Sequence, residues 1–131
     1  MIFVDTNYFV HLLLKDVPAQ YKVARRLFEE GAKGHKKLFT STVVIFEIYW
    51  VFASFYEKSK SEVCDILKRV LSLNFIEIDQ RDIIGEALGV YQDSTLDLED
   101  SYNLVFAKSK KMTKFATFDK KLVKILEHSR A

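Results

Sequence analysis

Five acidic residues stand in positions that could assemble a cation site. Asp5 closes the apolar run Met1-Ile2-Phe3-Val4 and is followed at once by Thr6 and Asn7. Asp119 closes a second such run, Phe115-Ala116-Thr117-Phe118. An aspartate after a strand commonly caps the next helix, and that reading stands for each one separately. Its recurrence would let two carboxylates meet at the carboxyl edge of a parallel sheet, where ligands bind. Glu47 interrupts the otherwise apolar stretch Thr42 to Tyr56. Buried there, it must be paired, protonated or bound to a metal; at the helix rim it faces water. Asp97 and Asp100 lie three apart in Leu-Asp-Leu-Glu-Asp-Ser, so they share a helical face on which like charges repel, although the helix dipole favours acids in a first turn. If these carboxylates converge they need a cation. Hard oxygen donors without Cys or His point to Mg²⁺ or Mn²⁺ rather than zinc. His11, His35 and His128 show no metal-ligand spacing, and neither a Gly-rich phosphate loop nor a protein nucleophile motif is present.

Short apolar runs separated by helical patterns must position these groups. Ile2 to Val4, Leu38 to Phe39, Phe75 to Ile78 and Phe115 to Phe118 read as strands, with the first expected to be buried. Pro18 opens a helical pattern that ends near Gly31, and Ser41 caps the apolar helix through Tyr56. Ser59 and Glu62 form a capping box ahead of the stripe Val63, Ile66, Leu67, Val70. Asp79 is placed to cap a helix carrying Ile83 to Tyr91; Leu96 to Met112 reads as another, and a short helix follows Asp119. Strands joined through helices require crossovers, hence a mainly parallel sheet in a three-layer α/β/α sandwich.

At 131 residues, 49% hydrophobic and 29% charged, the chain suits one globular domain, 1–131, and not a disordered or fibrous chain. The apolar stretch at Thr42 to Tyr56 is too short to cross a bilayer, which needs about 20 residues. A single cysteine, Cys64, and an N-terminus without signal-peptide features imply the cytoplasm. The net charge of +2 is too mild to announce nucleic-acid binding, but it is polarised. Val105 to Ala131 holds eight basic residues against two acids, Arg130 among them, leaving the rest of the chain at −4.

The order V-D-T-N, a glutamate about forty residues later, L-D-L-E-D and A-T-F-D resembles the PIN-domain nucleases, and most closely the small VapC-type toxins of toxin–antitoxin pairs. The resemblance implies that Asp5, Glu47 and Asp100 are the central acids and that Asp119 binds a second metal or orients water. Asp97 corresponds to an acidic position seen in many members, while Thr6, Asn7 and Thr117 match polar positions that steady the carboxylates. Ser101 stands where alanine is common, a small enough change to fit. The implied chemistry is Mg²⁺- or Mn²⁺-dependent hydrolysis of RNA, with the lysine-rich end attracting the phosphate backbone. A cognate antitoxin and a homodimer are the implied partners, and aromatics from Phe52 to Tyr56 are candidates for those contacts.

Two other classes compete. A PIN-like domain could bind RNA or protein without cleaving, against which the intact acidic set argues. A receiver-like phosphoacceptor also gathers acids at strand ends; Asp79 could serve as its acceptor, but no matching strand-end lysine follows.

Overall fold

The computed structural model describes residues 1–129, so Arg130 lies outside them. The chain divides into two compact units, Met1–Arg81 and Asp82–Ala131.

In the first unit, β1 (Ile2–Phe3), β2 (Leu38–Thr40) and β3 (Ile76–Ile78) form a parallel sheet in the order β1-β2-β3. Parallel neighbours need crossovers, and helices supply both. Helices α1 (Thr6–Leu14) and α2 (Pro18–Ala32) lead from β1 to β2; α3 (Thr42–Trp50), a π-helical turn (Val51–Phe55) and α4 (Lys60–Leu71) lead from β2 to β3. Register is set by Ile2 opposite Leu38 and Leu38 opposite Ile76. This is the parallel α/β architecture expected of the sequence.

The local signals account for most helix starts. Pro18 occupies the first turn of α2, where its missing N–H costs nothing. The Ser41 hydroxyl accepts from the Val44 N–H at 3.2 Å, and Ser59 with Glu62 forms the complete capping box of α4. Gly31 has a different reason to be glycine: a Cβ there would lie 2.6 Å from Leu38 Cδ1, so α2 approaches β2 closely only without a side chain.

One expectation about this unit is corrected, and two readings that the sequence leaves open are decided. β1 is not buried; it is one of the two edge strands of the sheet, and both its residues are exposed. Glu47 is exposed as well. The buried positions of α3, Val44, Ile45, Ile48 and Tyr49, recur at helical spacing and leave Val43, Glu47 and Trp50 on the outward face. The aromatics beyond them also separate. Phe52 is buried in the core, whereas the wider π turn, which follows on from α3, leaves Phe55 and Tyr56 exposed.

Asp79 does not cap the next helix as its position suggests: α5 (Arg81–Asp93) begins two residues later, after Gln80 in a left-handed conformation (φ 56°). Asp79 is instead approached by the Thr42 hydroxyl, which lies 3.2 Å from its carbonyl and 3.4 Å from Oδ2.

In the second unit, α6 (Leu98–Ser109) and α7 (Lys120–Ser129) follow α5. Leu96, Leu104 and Leu122 form its buried cluster, with Val90, Met112, Phe115, Ile125 and Leu126 packed against them. The fourth expected strand is absent: residues 113–119 lie outside any strand. Phe115 joins the cluster while Phe118 is fully exposed, so the apolar run is used to anchor a loop rather than to fill a ladder position. Among the described residues no helix is long and apolar enough to cross a membrane.

Candidate active site

The chain leaves the three parallel strands of the first unit near Asp5, Ser41 and Asp79, at one edge of the sheet. The backbone entering Asp5 is fixed from the neighbouring strand. The Val4 N–H donates to the Phe39 carbonyl at 2.9 Å, and the buried Thr40 hydroxyl donates to the Val4 carbonyl at 2.8 Å. Asp5 is then extended and caps α1, its Oδ1 accepting from the Thr6 N–H at 2.7 Å.

Thr6 makes the connection to α3. It is buried, and its hydroxyl donates to Glu47 Oε2 at 3.1 Å. One threonine therefore holds two exposed carboxylates, one through its backbone and one through its side chain. Asn7 is exposed in the first turn of α1 and lines a separate cleft of about 300 Å³ with Tyr8 and His11, opposite Gln20 and Val23 of α2.

The acids of the second unit gather around a cleft of about 430 Å³ lined by Thr95, Asp97, Asp100, Asp119, Lys120 and Lys121. Asp97 caps α6, its Oδ1 accepting from the Asp100 N–H at 2.8 Å. The Asp97 carbonyl accepts from the wholly buried Ser101 hydroxyl at 2.7 Å, so the serine at this position fixes the backbone of an acid. On the facing segment, the Thr117 hydroxyl accepts from the Asp119 N–H at 3.0 Å. Asp119 Oδ1 in turn accepts from the N–H groups of Lys121 and Leu122 at 2.8 and 3.2 Å.

Burial first, and crowding second, raise the proton affinity of two of these acids. Burial, reinforced by Asp97 and Asp119, raises the Asp100 carboxyl above the usual aspartate range, with Lys121 pulling it back. Glu99 is raised too, by burial first and then by Asp97 and Asp100, and its Oε1 is buried without a hydrogen-bond partner among the described residues. Among the described residues no group of three or more His, Cys, Asp or Glu side chains is placed to hold a metal ion. The donor chemistry nevertheless suits a hard divalent ion: the candidate ligands around both clusters are carboxylate oxygens, with hydroxyls and no Cys or His.

The two lysines of the second cleft belong to none of the acidic motifs. Their signal is local: Lys120 and Lys121 occupy the first turn of α7, where the helix dipole disfavours cations, and that turn contains no acid. A model of the PIN domain family matches residues 2–126. No curated protein and no solved structure matches the chain.

Proposed function

The chain belongs to the PIN domain family, whose members are usually nucleases, and from that premise we propose a divalent-metal-dependent endoribonuclease that serves as the toxin of a toxin–antitoxin pair. The observation that carries this reading is the meeting of Asp97, Asp100 and Asp119 with Lys120 and Lys121 in one cleft, a combination suited to cations and phosphates together. The family match runs across both compact units, which supports treating 1–131 as a single domain.

Asp5, Glu47, Asp97, Asp100 and Asp119 are the residues that would hold Mg²⁺ or Mn²⁺. When bound, the ion would supply an acidified water and neutralise charge on the phosphate. The chain's own contribution is orientation. Thr6 restrains Asp5 and Glu47 with two hydrogen bonds, and Thr117 sets the backbone from which Asp119 projects. Asn7 follows Thr6 but lines a separate cleft, so its supporting role rests on the family resemblance alone. Lys120 and Lys121 would hold phosphate oxygens of the RNA against the acids. The order of short motifs supports the VapC-type role, and with it a cytoplasmic protein, a cognate antitoxin and a homodimer. The exposed Phe55 and Tyr56 offer apolar contact area for such partners.

Calorimetric titration of Mn²⁺ into the protein and into Asp5→Asn tests the metal site whatever the RNA substrate is. Saturable binding that the substitution abolishes is expected. Binding unaffected by Asp5→Asn would remove that residue from the site, and no binding, with or without RNA, would leave a non-catalytic PIN-like domain as the better account.

A further inference from the structure

Phe118 is fully exposed, yet it is not on a loose end. Phe115 on one side and Leu122 on the other are packed in the hydrophobic cluster of the second unit. Between them, the Thr117 hydroxyl holds the Asp119 N–H, and Asp119 holds the N–H groups of Lys121 and Leu122. The ring is thus displayed from a braced turn, and the next three residues, Asp119, Lys120 and Lys121, all line the acidic cleft.

We propose that Phe118 is a stacking platform for an unpaired base of single-stranded RNA, next to the cleft in which Lys120 and Lys121 take the adjoining phosphates. This inference rests on the nuclease reading of the cleft and adds to it a residue that grips a base of the substrate. An aromatic face can stack on a base only where the base is free, as in loops and single strands. Charge argues for nucleic acid over a protein occupant: the ring is followed by two exposed lysines and lies beside carboxylates, whereas the cores of protein interfaces are depleted of charge.

The test uses the whole protein without added metal and a single-stranded RNA about twelve nucleotides long that carries 2-aminopurine, whose fluorescence falls when it stacks. Wild-type protein is expected to bind and quench it. Phe118→Ala should weaken binding by about 5- to 160-fold, the range that stacking on one aromatic provides, and should lose the quench at saturation. Phe118→Trp should keep both, and Phe118→Leu, which preserves apolar bulk without a π face, should not. Because the side chain is fully exposed, these substitutions leave the core intact. Equal affinity and equal quench in Phe118→Ala overturn the proposal while the nuclease reading survives. So does a Phe118→Ala variant that loses only self-association by sedimentation, which would make the ring a protein contact. Failure of the wild-type protein to bind either single-stranded or duplex RNA overturns both readings.

Discussion

Thr6 is the residue on which the first pair of acids depends. Its hydroxyl reaches Glu47 and its N–H reaches Asp5, so Thr6→Val deletes one bond, keeps the other and preserves the shape of a buried side chain. Loss of a hydrogen bond that orients a ligand typically costs about 10- to 100-fold in metal affinity or activity. That drop is expected for Mn²⁺ binding by Thr6→Val, with Thr6→Ser near wild type; equal titrations for all three would detach Thr6 from the site. Asp100 makes the opposite kind of prediction. Its carboxyl is raised by burial and by Asp97 and Asp119, so the folded protein binds its proton more tightly than the unfolded chain does. Stability from this group is therefore lost as pH rises from the ordinary value of 3.8 through the raised folded value, and the deficit persists above it. Asp100→Asn removes the deficit. Without metal its melting temperature should exceed wild type at neutral pH and lose that advantage below pH 3.8. A mutant less stable than wild type at neutral pH would show that the acid is paired, not crowded.

Between elements, Arg81 is a staple at the end of the first unit. Its guanidinium donates to the carbonyls of Leu71, Leu73 and Ile76, joining the end of α4 to the start of β3. Lysine cannot span three carbonyls with a planar fork. Each bond to a charged donor is worth about 1.5–3 kcal/mol when taken singly, so Arg81→Ala should destabilise by at least about 2 kcal/mol, and Arg81→Lys should recover only part of it in urea unfolding. Full recovery by lysine would mean that charge, not the fork, matters. The contrast with other elements explains what is legible in the sequence. The caps at Ser41 and Ser59 and the proline at position 18 are decided within one helical turn, so local spacing reveals them. Strand status and exposure are decided by distant neighbours. The run ending at Phe118 has strand composition, but its residues anchor a loop, and β1 is apolar yet lies at the outer edge. Glu47 sits in an apolar sequence whose helical phase turns it outward. In the candidate site, the capping aspartates and the paired acids of α6 are visible from spacing. The Thr6 link to Glu47 joins residues that only the tertiary fold brings together, and Lys120 and Lys121 are hidden in a general excess of basic residues.

At the scale of the whole molecule, charge is distributed unequally although it nearly cancels. The last 27 residues carry +6 while the remainder carries −4. A long polyanion that follows a basic path releases condensed counterions as it binds, and the affinity then falls with salt by about 0.7 logarithmic units per tenfold salt for each phosphate neutralised on a single strand. If Lys120 and Lys121 each neutralise one phosphate, their joint replacement by alanine should flatten the slope for single-stranded RNA by about 1.4. Lys36 and Lys37 provide the comparison: they are exposed, adjacent in sequence and equal in charge, but they belong to the first unit and line a different cleft. Replacing that pair changes the net charge of the protein by the same amount. A field set by net charge alone would give both double variants the same salt dependence. A field tied to the acidic cleft would flatten only the Lys120/Lys121 variant, which is the expected outcome.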